Sequence, residues 1–264
     1  MGNSTAYSAN VQANAGEGSG KVALVTGGMG GLGTALCRHL HDAGFTVALT
    51  YSPGNKAPEA WLSAQRDEAY RFSAWRLDVT DFAACETMVA RLLAELGRID
   101  VLVNNAGITR DRSLRKMGLE DWNAVLRTNL DSVFNMCRQV IEPMMAQRWG
   151  RIINISSVNA NAGAFGQANY AAAKAGMHGF TKALALETAR HGITVNTVSP
   201  GYLRTRMVEA VPQDIMEGKI LPQIPLGRLG EPDEVAALVA YLASSAAAFV
   251  TGSDIAINGG QHMR

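Results

Sequence analysis

The chain carries little sulfur, few charges and no long apolar run, and each shortage removes a class of protein. Its three cysteines, Cys37, Cys85 and Cys137, are widely spaced and cannot all pair with one another. They read as reduced thiols of a cytoplasmic protein, not as a disulfide framework. Lys and Arg number 24 against 23 Asp and Glu, a formal net charge of +1, and the basic residues form no run. Nucleic acid is therefore not expected as a partner, because neutralising phosphates takes clustered Lys and Arg. No apolar stretch approaches the roughly 18 residues of a membrane span, so no membrane partner is expected either. The five histidines, His39, His41, His178, His191 and His262, lack the spacing of a ligand cluster, and no metal is expected. Met1-Gly2 is followed by Ala6 where N-myristoylation requires Ser or Thr. Residues 1–20 are rich in Ala, Asn, Ser and Gly, with Glu17 their only charged side chain. They hold no apolar segment of a signal peptide, and a disordered tail is expected.

What is present is a hydrophobic content of 47% and, from Lys21 onward, short β-prone runs alternating with helical patterns. The runs are 22–25, 46–50, 72–77, 99–103, 151–155, 194–198 and 254–257. The first five are nearly all apolar, as strands buried on both faces are. Such alternation predicts an α/β protein with a single-domain Rossmann fold over 21–264: a doubly wound, parallel seven-stranded sheet flanked by helices. Helices are expected at 34–43, as one long element at 119–147, and as an alanine-rich element at 169–190. Right-handed crossovers put the loops that follow the strands on one edge, where such sheets bind their ligands.

The first of these loops reads Val25-Thr26-Gly27-Gly28-Met29-Gly30-Gly31-Leu32-Gly33. Thr26, Gly27, Gly31 and Gly33 satisfy the spacing T-G-x-x-x-G-x-G, with Leu32 inside it. Glycines there allow a tight turn and bring backbone N–H groups and a helix N-terminus up to a pyrophosphate. Strand, glycine loop and helix in succession predict a dinucleotide site. At the end of the second strand, where a carboxylate would bind the ribose hydroxyls of NAD, the chain has Thr50-Tyr51-Ser52-Pro53-Gly54-Asn55-Lys56 and no acid before Glu59. The missing charge leaves room for a 2′-phosphate, to which Ser52 and Asn55 offer hydrogen bonds and Lys56 a cation. NADP is the expected cofactor, with NAD as the alternative.

Tyr170 and Lys174 lie four residues apart, so a helix places the phenol and the ammonium on one face. A free tyrosine titrates near pH 10, and about 4 kcal/mol of preference for the phenolate is needed to bring it to neutrality. Lys174 is placed to supply part of that.

With these markers the chain resembles the short-chain dehydrogenase/reductase family from Lys21 to its C-terminus. The resemblance extends to Asp78-Val79, similar to the pair that contacts adenine, and to Asn104-Asn105-Ala106-Gly107 after the fourth strand, whose last three residues would line the cofactor. Asn129, in Arg127-Thr128-Asn129-Leu130, is similar to the catalytic asparagine. Ser157, 13 residues before Tyr170, is similar to the catalytic serine and fits that spacing better than its neighbour Ser156. Pro200-Gly201 with Thr205 is similar to the segment that closes over the nicotinamide. The resemblance implies an oxidoreductase in which Tyr170 gives a proton to a carbonyl oxygen that Ser157 also hydrogen-bonds. Lys174 would bind the nicotinamide ribose and lower the tyrosine pKa, while Asn129 would hold a water of the proton relay.

Within the family, the segment 157–170 and the ending Asn258-Gly259-Gly260-Gln261-His262-Met263 look most like acetoacetyl-CoA reductases of polyhydroxyalkanoate synthesis. This implies an acyl-CoA thioester as the small-molecule substrate and NADPH as the reductant. Phe165, Gln167 and Tyr202 are then expected around the acyl group and the pantetheine arm. Ala164 departs from that group, which often carries a polar residue there. The 3-oxoacyl-acyl-carrier-protein reductases share the fold, the four catalytic residues and the stretch Asn105-Ala106-Gly107-Ile108-Thr109-Arg110-Asp111. Arg110, Arg112, Arg115, Lys116, Arg204 and Arg206 suit CoA phosphates and an acidic carrier protein alike. A non-catalytic nucleotide-binding scaffold would have no need of Asn129, Ser157, Tyr170 and Lys174 together. The family generally builds tetramers through the two long helices, and a homotetramer is expected.

Overall fold

Seven short apolar runs become seven parallel strands in the computed structural model, which describes residues 16–205, 208 and 211–263. They are β1 Val22–Val25, β2 Thr46–Tyr51, β3 Phe72–Arg76, β4 Val101–Asn104, β5 Gly150–Ile155, β6 Ile193–Pro200 and β7 Asp254–Ile257. Their order is β3-β2-β1-β4-β5-β6-β7. The chain thus winds outward from β1 in both directions, and a crevice opens where the order reverses, between β1 and β4.

Alternation of side chains across the strands supplies two cores. Val22 and Leu24 of β1 face one, and Ala23 and Val25 face the other; Leu102 of β4 and Ile152 of β5 join the first, Val103 and Ile153 the second. The helices α1 (Gly31–Asp42), α2 (Pro58–Asp67), α3 (Phe82–Leu96), α4 (Leu119–Leu126), α5 (Ser132–Gln147), α6 (Ala168–Thr188) and α7 (Pro232–Ala243) complete the layers. Leu36 and Leu40 of α1, Trp61 of α2 and Val239 of α7 cover the second core, while Leu92 of α3, Met136 of α5 and Met177 of α6 cover the first. Each fully buried Leu or Ile contributes about 2–3 kcal/mol relative to an exposed one. Cys37, Cys85 and Cys137 are free and buried among these apolar side chains. No helix among the described residues is long and apolar enough to cross a membrane.

Three elements differ from the sequence expectation. The first helix begins at Gly31, not at 34, so its N-terminus lies inside the glycine loop. The helix expected over 119–147 is interrupted by a π-helical turn, Arg127–Asp131, between α4 and α5. One extra residue in that turn carries Asn129 inward, where it is fully buried. The expected tail is described only from residue 16, and 16–20 pack on the domain. Gly18 is buried and its N–H donates to Ala43 O at 3.0 Å, while Ser245 N–H donates to the Glu17 carboxylate at 3.3 Å. Residues 1–15, and Arg206 among the basic candidates, lie outside the described residues.

The edge of the sheet opposite the crevice is fastened by Asp100. It is fully buried and accepts from Val22 N–H at 2.8 Å, from Arg98 Nε at 2.8 Å and from Arg98 Nη2 at 2.6 Å. Asp100→Ala leaves the Val22 donor unmet inside the sheet, and a loss of about 2 kcal/mol is expected. It should appear as a lower urea midpoint at unchanged m value.

Candidate active site

Thr26 and Asn105 join the two loops that leave β1 and β4. Thr26 Oγ1 accepts from the N–H groups of Asn105 and Ala106, both at 3.0 Å, and Asn105 Nδ2 donates to Thr26 O at 3.0 Å and Gly27 O at 3.2 Å. So tight an approach excludes side chains. Gly27 has φ +65°, and a Cβ at Gly33 would stand 2.3 Å from Gly27 O. Gly31 differs, because its nearest neighbour across the cleft would be Thr205 Cγ2 at 3.4 Å. No side chain caps α1 and no acid occupies its first turn, so its N-terminal N–H groups remain available to an anion.

A cavity of about 500 Å³ runs from this loop along the strand ends, lined among others by Met29, Ser52, Asn55, Asp78, Val79 and Ile108. Gly27, Ala106 and Gly107 also line it. The Asp78 carboxylate accepts from Thr80 N–H at 3.0 Å and Thr80 Oγ1 at 2.7 Å, which fixes the turn after β3. Asn55 Oδ1 accepts from Ala57 N–H at 3.0 Å, and its amide nitrogen stands 3.2 Å from Met29 Sδ. Lys56 is exposed and is not among the lining residues.

A second cavity, of about 280 Å³, continues the cleft past Leu32 and Asn105 to Ser157, Tyr170, Lys174 and Thr205. Pro200, Gly201 and Tyr202 form part of its wall. Ser157 leaves the end of β5 and lines the cavity beside the Tyr170 phenol, and its Oγ accepts from Asn159 N–H at 3.2 Å. Ser156 points elsewhere, into the buried layer, where its hydroxyl donates to Lys174 O at 3.1 Å. Lys174 Nζ donates to Ile155 O at 2.7 Å and lies 5.6 Å from the centre of the Tyr170 ring. Asn129 is fastened at both ends of its amide to Ile108: Oδ1 accepts from Ile108 N–H at 2.8 Å, and Nδ2 donates to Ile108 O at 2.8 Å. A Cβ on Gly107 would stand 2.8 Å from Asn129 Oδ1 and 3.6 Å from Lys174 Nζ. The bare face of Gly107 is thus shared by both side chains.

Electrostatics here depart from the sequence expectation. Tyr170 is pushed above its usual value, chiefly by burial and further by the Asp111 carboxylate, with the nearby Ser157 hydroxyl opposing. Burial also brings Lys174 down to about 7, which weakens the cation that the sequence places beside the phenol. Desolvation disfavours the charged form of each, raising the acid and lowering the base.

On the substrate side, Gln167 and Tyr202 share a small pocket with Ser157 and Tyr170. Gln167 Nε2 donates to Asp111 Oδ2 at 2.8 Å, and Gln167 Oε1 accepts from Asn159 Nδ2 at 2.9 Å. Phe165 does not join them: it is 96% exposed and lines none of these cavities, on a loop turned at Gly163 and Gly166, both of positive φ. Sequence reasoning missed Met29, Ile108, Thr109 and Asn159 as lining residues. Ile108 and Thr109 follow Asn105-Ala106-Gly107 directly, and that continuity was the available signal. A nicotinamide dinucleotide fits this cleft. The two cavities share Gly107 and Ile108 as walls, and the uncapped, acid-free start of the first helix opens beside the glycine loop.

A family model described as enoyl-(acyl carrier protein) reductase matches residues 27–262. An acetoacetyl-CoA reductase of Cupriavidus necator is 51% identical over 243 residues, 92% of this chain and 98% of its own length. Nodulation protein G of Azospirillum brasilense is 53% identical over 243 residues, with the same coverage. The 3-oxoacyl-[acyl-carrier-protein] reductase of Escherichia coli is 47% identical over 246 residues, 92% of this chain and 98% of its own.

Two outcomes follow. Gly33→Ala forces backbone apart and should lower thermal stability, whereas Gly31→Ala should keep the melting temperature and weaken dinucleotide binding at least about tenfold, measured by nucleotide fluorescence titration. Between pH 7 and the ordinary lysine value of 10.5, the unfolded chain binds a proton that folded Lys174 lacks. Its contribution to stability therefore rises with pH across that window. Lys174→Met should melt above the wild type below pH 7, and the difference should shrink as pH climbs through the window.

Proposed function

Because the chain belongs to the short-chain dehydrogenase/reductase family, we propose that it reduces acetoacetyl-CoA to (R)-3-hydroxybutyryl-CoA with NADPH, as a cytoplasmic enzyme of polyhydroxyalkanoate synthesis. The observation that carries the chemistry is that Ser157, Tyr170 and Lys174 line one cavity at the cleft, with Lys174 one helical turn from Tyr170. The substrate assignment is supported by the names of relatives that match nearly their whole length. When bound, the cofactor supplies hydride to the carbonyl carbon. Gly27, Gly31, Gly33 and the N-terminus of α1 would hold its pyrophosphate, Asp78 and Val79 its adenine, and Lys174, Pro200, Gly201 and Thr205 its nicotinamide half. A preference for NADP is supported by the absence of an acid at the end of β2, where Ser52 and Asn55 line the cavity and Lys56 is exposed.

Reduction needs an acid that starts out protonated, and burial together with Asp111 holds Tyr170 in that state. Ser157 donates its one hydroxyl proton to the carbonyl oxygen as negative charge develops there. Lys174, in its charged form, offsets the phenolate's charge from the same helix face. Asn129 positions Ile108 and, beside Gly107 and Lys174, would hold the water through which the Tyr170 proton is replaced. Gln167 and Tyr202 orient the acyl thioester.

The acyl-carrier-protein thioester is the second reading, favoured by the exposed Arg110, which follows the cavity-lining Thr109, and by the exposed Arg115 and Lys116, all of which suit an acidic partner as well as CoA phosphates. Homotetramer assembly is supported by the face that α3, α5 and α6 share. There Phe134 is 50% and Phe82 41% exposed, the two rings stack at 6.0 Å, and Gly176 borders a groove with Leu130 and Phe180.

Purified enzyme should oxidise NADPH rapidly with acetoacetyl-CoA, more slowly with NADH, and more slowly with an acyl-carrier-protein thioester. Preference for the carrier thioester would move the chain to fatty-acid synthesis. Tyr170→Phe should cut kcat by about 10²–10⁴-fold with cofactor binding retained. Surviving turnover would sink the mechanism.

A further inference from the structure

Tyr170, Lys174 and His178 follow one another at four-residue intervals along α6, so all three leave one face of the helix. The first two belong to the cleft, and the third reaches the layer beneath it. Ser156 Oγ donates to Lys174 O at 3.1 Å and lies 3.0 Å from His178 Nε2. A hydroxyl has one proton and a main-chain carbonyl can only accept, so His178 must donate to Ser156 from Nε2. That nitrogen also lies 3.7 Å from Asp254 Oδ2. The carboxylate, on the first residue of β7, accepts from Ser199 Oγ at 2.5 Å and from Asn161 Nδ2 at 3.4 Å. The His178 and Asp254 side chains are only 11% and 6% exposed.

The arrangement joins a hydrogen bond to serine with a longer contact to the carboxylate, at 3.7 Å, on the same ring nitrogen. It is a clamp, and every segment it grips is a neighbour of the site. Ser156 precedes Ser157, Ser199 precedes Pro200-Gly201, and Asn161 belongs to the turn Asn159–Ala162 whose first N–H donates to Ser157 Oγ.

We propose that His178 and Asp254 are positioning residues for the reduction, holding the end of β5 against α6 so that the Ser157 hydroxyl meets the Tyr170 phenol. The idea rests on the reductase reading for its kinetic consequence. Displacing a catalytic group by about 1 Å costs on the order of 10²-fold in rate, so the clamp acts on kcat.

The test uses His178→Leu, His178→Asn and His178→Gln in the full chain. Glutamine reaches as far as Nε2 and restores the donor, whereas asparagine is polar but one methylene short. Leu and Asn variants are expected to lose about 10–100-fold in kcat for acetoacetyl-CoA, with KM and NADPH affinity within about twofold. Gln should recover to within about threefold of wild type. If the Leu variant does not fold, the Asn and Gln pair carries the comparison. Equal losses in Gln and Asn, a kcat within twofold of wild type in the Asn variant, or a loss confined to KM would overturn the clamp. A substrate-free measurement separates this from failure of the reductase reading: ultraviolet titration of the Tyr170 phenol, by difference against Tyr170→Phe. Drawing the Ser157 hydroxyl away from the phenol should move that titration to higher pH in the Asn variant. An unmoved titration would overturn the proposal even if another substrate proves to be the true one.

Discussion

The close approach of two backbones at the ends of β1 and β4 is the constraint on which the site depends. Thr26 and Asn105 hold the two loops together with four hydrogen bonds, at the place where the helices diverge to opposite faces of the sheet. One loop turns at Gly27 into α1. The other runs on through Gly107 to Ile108, whose main chain is held by Asn129. Without that join, the dinucleotide cleft would have no floor and the asparagine no partner.

Desolvation then sets the chemistry. The same removal of water raises Tyr170 and lowers Lys174, so the neutral forms of both are favoured before any substrate arrives. A reductase benefits, because its acid begins loaded. The asymmetry between Ser156 and Ser157 follows from strand geometry, since successive residues at the end of β5 point to opposite sides. One hydroxyl is left for the cleft and the other for the layer beneath.

Much of this was legible in the chain. Apolar runs of four to six residues, separated by helical patterns, leave few topologies when crossovers are right-handed, and all seven strands fall where the runs lie. Ser157, Tyr170 and Lys174 converge because their spacing is helical or local. Features that depend on contacts far apart in sequence were not readable. The π-helical turn around Asn129 is an answer to Ile108, 21 residues earlier, and nothing in its own composition marks it. The packing of Gly18 relies on the chain near Phe45. The exposure of Phe165 reflects the two glycine turns that flank it, which apolarity alone could not reveal. The depressed pKa of Lys174 was hidden for a similar reason: spacing gives adjacency, but the charge a lysine carries depends on how deeply it is buried.

The three buried thiols have a consequence of their own. Burial drives all of them upward, Cys85 and Cys137 to about 12 and Cys37 further still, so the reactive thiolate is strongly disfavoured at physiological pH. A protein that handles thioesters is exposed to acyl transfer onto its own sulfur, and to mixed disulfides with free coenzyme A. Enclosed and protonated, these sulfurs take part in neither reaction, and the chain stays chemically silent toward the activated carbonyls that pass through it.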